Sequence, residues 1–276
     1  MSAQNIVSPK STTSTITNSR YSFAKEVLGD WIPDVTSRIL IVGGGENDSA
    51  VLLQLGFQNV VVSNLDSRVK GDEFTPYQWS YQDAEDLTYD DSEFDFVVVH
   101  AALHHCRSPH RALLEMYRVA KKGVIAFESR DSLLMRLLEK LNFTPTYEHA
   151  AVYFNDGKYG GVNNTEIPNY IYRWTEREIE KTISSYSPYS NHIFRYKYSN
   201  DVPATSGLER NSTIKSFMIM IAKPIYTLFS LIFPQQQNLF AFYVQKYSPE
   251  QGLHPWLTLS ESGIKFNHDW ARIFYK

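Results

Sequence analysis

Residues 38–48 read Arg38-Ile39-Leu40-Ile41-Val42-Gly43-Gly44-Gly45-Glu46-Asn47-Asp48, a short apolar run that ends abruptly in three glycines. A second apolar run, Val60-Val61-Val62-Ser63-Asn64-Leu65, ends on Asp66. Strand, glycine turn, helix, strand and acid is the outline of a nucleotide-binding half-fold. Glycine suits the turn because a side chain there would hold a ligand away from the backbone. A carboxylate at the tip of the next strand suits a pair of vicinal hydroxyls, since it accepts two hydrogen bonds at once.

Around this outline the bulk properties exclude several classes. The chain has 276 residues and can bury a large core. Its formal charge of −3, with no Lys/Arg-rich run, gives no electrostatic footprint for nucleic acid. The single cysteine, Cys106, allows no intrachain disulfide, which fits a reducing, cytoplasmic setting. Residues 1–20 are polar, rich in Ser and Thr, and lack the features of a signal peptide, so they read as a mobile arm. The apolar segment 216–233 has the length of a membrane span, but Lys223-Pro224 sits at its centre. It reads first as a buried or oligomer-forming helical pair within an insertion, 212–235, and second as a membrane-surface contact that would make the protein peripheral.

The pattern predicts a helix over 21–31, strands over 38–42 and 59–63, and a helix starting near Asp48-Ser49. A short extended piece follows at Trp79-Ser80-Tyr81. Phe94-Asp95-Phe96-Val97-Val98-Val99-His100 has the character of a central parallel strand, apolar on both faces. Ser108-Pro109 opens a helix that Lys121-Lys122-Gly123 should stop. A strand over 124–128, a helix over 132–141 and a helix capped by Thr175 follow. The last strands are expected at 192–198 and 239–245. Alternation of helices and strands argues for a parallel, doubly wound sheet. Between 143 and 175 the regularity breaks into a Tyr-, Asn- and Gly-rich loop, a candidate lid whose rings could stack on sugar faces. Arg173-Trp174, where the loop rejoins the helix, is a hinge or a packing anchor. His254, Trp256, His268 and Trp270 in the tail read as packing residues.

The order Gly43-Gly44-Gly45, Asp66, Asp83-Ala84-Glu85-Asp86-Leu87 and Phe94 through His100-Ala101-Ala102-Leu103-His104-His105 resembles a class I S-adenosylmethionine-dependent methyltransferase, and within it the small-molecule and sugar O-methyltransferase branch. The resemblance covers residues 21–142, the cofactor-binding core. It extends to the ending Leu239–Lys246, within a remainder of the core over 176–246; the tail over 247–276 carries none of it. It implies an α/β fold with a doubly wound seven-stranded mostly parallel sheet, the Rossmann-like methyltransferase fold, carrying a lid insertion and a C-terminal helical insertion. It implies S-adenosyl-L-methionine as cofactor. Gly43, Gly44 and Gly45 would let the backbone approach the methionine part, Asp66 would hold the ribose, Asp83 and Ala84 would face the adenine, and His100 would lie near the cofactor. Two positions depart from the family pattern. Ile41 stands where an acid is frequent, and Asn47 where the last glycine falls. Glu46 and Asp48 are the nearby acids that could substitute.

His104, His105 and Glu128 are the catalytic candidates. A hydroxyl that attacks a sulfonium methyl must lose its proton, imidazole titrates in the useful range, and a carboxylate behind it fixes the tautomer. The bland alternative is that the histidines bond backbone at the end of the strand. No metal-ligand cluster is legible, because Cys106 beside His105 is too little for zinc. The expected activity is methyl transfer to a small-molecule or glycan acceptor, foremost a sugar hydroxyl as in polysaccharide biosynthesis. N-methylation of an amino sugar or other small amine is the nearest rival. A degenerate methyltransferase fold serving as a binding or scaffold subunit is the rival from another class. A homodimer is compatible with the sequence, and an RNA substrate is disfavoured by the charge.

Overall fold

The computed structural model describes residues 19–200, 221, 224 and 226–276. One sheet contains β1 (Ile39–Val42), β2 (Val60–Asn64), β3 (Gln78–Tyr81), β4 (Phe94–His100), β5 (Ala120–Ser129), β6 (Ile193–Ser199) and β7 (Leu239–Gln245). Their order is β3-β2-β1-β4-β5-β7-β6. The first five strands pair in parallel, and β7 runs antiparallel between β5 and β6. The strand order reverses between β1 and β4, so the cleft opens beyond the C-terminal ends of these strands.

Strand parity assigns the two faces. Ile39, Ile41, Val60, Val62, Phe96 and Val98 pack with α1 (Ser19–Trp31) and α2 (Glu46–Gln54) on one side. Leu40, Val42, Val61, Val97 and Val99 pack with α3 (Pro109–Val119) and α6 (Glu176–Tyr186) on the other. A strand covered on both faces needs apolar residues at successive positions, which is why β1 and β4 carry unbroken apolar runs.

The helix starts follow their caps. The Ser108 hydroxyl accepts from Arg111 N, and the Thr175 hydroxyl accepts from Glu178 N. The second helix starts earlier than Asp48-Ser49, because Gly45 is the cap and Asp48 reaches back to accept from Gly45 N at 2.9 Å. Lys121-Lys122-Gly123 does not close α3 as expected but belongs to β5, which begins at Ala120. Gly123 is needed there for close approach, since a Cβ would lie 2.4 Å from the Val244 carbonyl oxygen of β7. The helix expected over 132–141 is α4 (Leu133–Lys140), with Ser132 as its cap.

The segment between α4 and α6 holds α5 (His149–Tyr153) and a 3-10 turn at Val162–Asn164. It rejoins the sheet beyond the C-terminal end of β5 at Trp174, which is fully buried and exchanges backbone hydrogen bonds with Ser129 and Asp131. Trp174 is therefore a packing anchor. The tail forms a hairpin of β8 (Leu257–Ser260) and β9 (Gly263–Phe266), followed by a short helix, His268–Phe274. His254 stacks on Trp256 at 4.3 Å, and Trp256 meets Trp270, so these residues pack among themselves. The N-terminal arm through residue 18 and most of the apolar segment before 226 lie outside the described residues. Among the described residues, no helix is long and apolar enough to cross a membrane.

Candidate active site

The glycine turn, the β2 tip and the loop after β4 border a cavity of about 290 Å³ at the switch point, near the lower edge of small-molecule sites. Its floor is bare backbone. Gly43 has φ +65°, and a Cβ there would lie 2.5 Å from the Cβ of Ala102. Ala101, also in the left-handed region at φ +52°, brings the chain across Gly43. Gly44 packs back onto the strands, where a Cβ would meet Ile41 at 2.6 Å, and Gly45 begins α2. Ile41 lies buried in the core rather than at the cavity.

Asp66, Asp83 and Ala84 line the cavity, and the two aspartates are its carboxylates among the described residues. Asp83 is fixed by accepting from Glu85 N at 2.9 Å. Asp66 is gripped by Arg68, whose backbone N–H and guanidinium donate to both of its oxygens. That pairing holds the Asp66 carboxyl below the usual carboxylate range. Arg68 also bonds Asn155 at 3.2 Å and stacks on the Tyr159 ring at 3.9 Å, tying the β2 tip to the loop over the cavity. Asn155, Gly160, Gly161, Asn163 and Asn164 form that far wall. The loop thus meets the cavity through asparagines and glycines, while Tyr147, Tyr153 and Tyr170 are exposed on its outside.

His100 does not line this cavity. It shares the parity of Phe96 and Val98 and so turns toward α1 and α2, where its Nδ1 lies 3.0 Å from Asp48 Oδ1 and its ring meets Tyr21 and Phe127. Asp48 spends both oxygens on Gly45 N and His100, so it does not replace the acid absent at Ile41. The described residues place no substitute carboxylate from Glu46 or Asp48 at the cavity.

His104, His105 and Glu128 come together. Glu128, with no exposed surface at the end of β5, accepts from Leu103 N at 2.9 Å and lies 3.0 Å from His104 Nδ1. Glu148, the residue before α5, joins them: its Oε2 is 3.3 Å from His104 Nε2 and 3.5 Å from His105 Nε2. Burial alone would lower the His104 pKa, but the two carboxylates, Glu128 foremost, outweigh it and raise it to about 9. Glu148 is held down to about 2, chiefly by its bond to His104. Burial, then the neighbouring His104 charge, holds His105 below its ordinary value. At neutral pH His104 is an imidazolium between two carboxylates and His105 is neutral. Only His105 of this cluster lines the cavity. Glu148 and Arg68 are the site residues that motif reading missed. Glu148 lies in the irregular loop and carries no spacing signal, whereas Arg68 lies two residues past the acid of the β2 tip.

Residues 42–127 match a protein-family model described as a methyltransferase domain. The fold is similar to that of the PH0226 protein from Pyrococcus horikoshii, at 14% identity and a TM-score of 0.51, covering 86% of this chain and 93% of that one. It is also similar to the YcgJ protein from Bacillus subtilis, at 13% identity and a TM-score of 0.51, covering 83% of this chain and 98% of that one. No curated protein matches the sequence. Residues 42–127 are a methyltransferase domain, with S-adenosylmethionine as its cofactor. The cavity fits such a group: a bare backbone floor at Gly43, a carboxylate at the β2 tip and the small Ala84 beside Asp83.

Proposed function

We propose that this methyltransferase transfers its methyl group to a hydroxyl of a small-molecule or glycan acceptor, with a sugar as the acceptor class. The observation that carries the reading is the cluster of two imidazoles and two carboxylates beside the cavity. An amine that is already neutral attacks without help, whereas a hydroxyl must shed a proton, and this cluster is built to handle one. In this reading Gly43, Asp66, Asp83 and Ala84 hold the cofactor, Gly44 and Gly45 shape the turn, and His100 steadies Asp48 at the start of α2. When bound, the cofactor supplies an electrophilic methyl group, so the protein's part is to position the acceptor and take its proton.

His105 is the proton acceptor, because it is neutral at physiological pH and borders the cavity. His104 is a positioning residue, fixed by Glu128. The exposed rings of Tyr147, Tyr153 and Tyr170 offer faces for a sugar or glycan arriving from outside the loop. Membrane contact through 216–233, a homodimer and a cytoplasmic location remain compatible with this reading.

The test is methyl transfer to parallel panels of sugars, sugar nucleotides and small amines, with product detected by mass. The account predicts transfer to a hydroxyl, reduced about 10²- to 10⁴-fold in His105→Ala with cofactor binding kept. Transfer to amines alone would install the N-methyltransferase reading. Full activity in both His104→Ala and His105→Ala would remove the base assignment. A folded protein that binds no cofactor would point instead to a scaffold subunit.

A further inference from the structure

The hydrogen bonds of the site leave one arrangement unexplained. His104 and His105 are neighbours on a 3-10 turn, Leu103–His105, which by itself sends successive side chains in different directions. Yet their rings lie 4.5 Å apart at 37°, and both Nε2 atoms aim at the same oxygen, Glu148 Oε2. The distance from His105, 3.5 Å, is too long for an ordinary N–H···O bond. One donor atom from each of His104, His105 and Glu148 lies within 4.8 Å of the others.

We infer that His104, His105 and Glu148 are the protein ligands of a divalent metal ion. Bonds of about 2.0–2.1 Å to a tetrahedral ion separate neighbouring donors by roughly 3.3–3.4 Å. The two contacts to Glu148 measure 3.3 and 3.5 Å, so these donors already stand at nearly that separation. The surroundings are those of a metal site as well. The far nitrogen of His104 is held by Glu128, whose other oxygen is committed to Leu103 N. The His105 ring also bonds the Gly161 backbone. A ligating histidine characteristically has its second nitrogen fixed by a carboxylate or a carbonyl in this way. Two neutral imidazoles with Glu148 and Glu128 leave two negative charges in a largely buried space. One proton on His104 neutralises half of that, and a divalent cation neutralises all of it. Two imidazoles and a carboxylate suit zinc and its first-row neighbours better than magnesium or calcium.

The site is not closed. Three protein ligands leave a fourth position open, as in catalytic rather than structural zinc sites. His105 lines the cofactor cavity, so this position borders the place where an acceptor must lie. The assignment of that position to an acceptor oxygen rests on the hydroxyl reading proposed above, whereas the metal site itself does not. A hydroxyl placed there is acidified by the cation. Its O–H proton passes to water. Its oxygen forms the new bond to the methyl carbon as the methyl–sulfur bond breaks, and that electron pair stays on sulfur. In the metal-loaded protein His105 is a ligand and the cation acidifies the hydroxyl, so the base role given to His105 above belongs to the metal-free protein.

The test titrates the full chain, stripped with a chelator, with Zn²⁺ by calorimetry and with Co²⁺ by visible absorption. The site predicts one equivalent bound at micromolar affinity or tighter and an intense Co²⁺ band. His105→Ala and Glu148→Gln, both at partly exposed positions, should weaken binding at least tenfold. Glu128→Gln, acting through His104, should weaken it about 10- to 100-fold. Both of the first two variants should keep the wild-type far-ultraviolet circular dichroism and a cooperative thermal unfolding transition, showing that they are folded. Absence of stoichiometric Zn²⁺ or Co²⁺ binding, or binding indifferent to His105→Ala and Glu148→Gln, overturns the inference. Methyl transfer to a hydroxyl at full rate in the stripped protein overturns the metal's part while leaving the acceptor reading standing. A loaded metal site with transfer to amines alone does the reverse.

Discussion

Glu128→Gln is the substitution whose consequence follows most directly from the geometry. Glu128 is fully buried, and its charge is the largest of the influences that raise His104 from 6.5 to about 9. A pKa raised in the folded state stabilises at low pH: the folded protein holds a proton that the unfolded chain releases above 6.5. The contribution is therefore fully present below 6.5 and is lost as pH rises through 9. Its size is about 3 kcal/mol, from 1.36 kcal/mol per unit across that interval. Glu148, held at about 2, stabilises above its ordinary 4.5 and is lost as pH falls toward 2, so it does not act in the same window. Glutamine keeps the shape and a carbonyl for Leu103 N but removes the charge. The assay is urea unfolding at half-unit steps from pH 6 to 9.5, with chelator present, for both proteins. Wild-type stability should fall by about 1.4 kcal/mol per pH unit through the middle of this range, and the variant's curve should be much flatter. Parallel curves would mean that His104 takes up no proton from its buried partner, and the electrostatic account of the cluster would fail.

Two substitutions test the cavity. Gly43→Val places a branched side chain at φ +65° against Ala102, costing about 1–2 kcal/mol in backbone strain alone. It should weaken S-adenosylhomocysteine binding at least tenfold by calorimetry, and unchanged affinity would mean that Gly43 is not the floor. Arg68→Ala removes the guanidinium from both Asp66 oxygens, leaving only the residue-68 backbone N–H on Oδ1, at the loss of a partly exposed pair worth about 0–1 kcal/mol, so cofactor affinity should rise by up to about fivefold. A loss of affinity would make Arg68 a cofactor ligand rather than a competitor.

The parts of the molecule that could be read beforehand are those with local signals. The apolar runs over β1, β2 and β4 are long because those strands are covered on both faces, and Ser108 and Thr175 announce their helices as caps. Gly43, Asp66, Asp83 and Ala84 reach the cavity because each ends or follows a strand at the switch point. What escaped depends on three dimensions. The side that His100 faces follows from strand parity only once the helices are assigned to faces. Gly123 resembles a helix stop, and its role as a contact with β7 needs a strand far along the chain. Glu148 sits in an irregular loop with no periodicity, and only the folded chain sets it between two histidines.

Calorimetric titration of the purified chain with S-adenosylhomocysteine, wild type beside Asp66→Ala, tests the central claim most directly. The account predicts micromolar binding in the wild type, weakened at least tenfold in the variant, because Asp66 lines the cavity and the proposed reading gives its carboxylate the ribose hydroxyls. Absence of binding to a folded wild-type sample, or equal affinity in Asp66→Ala, would contradict it.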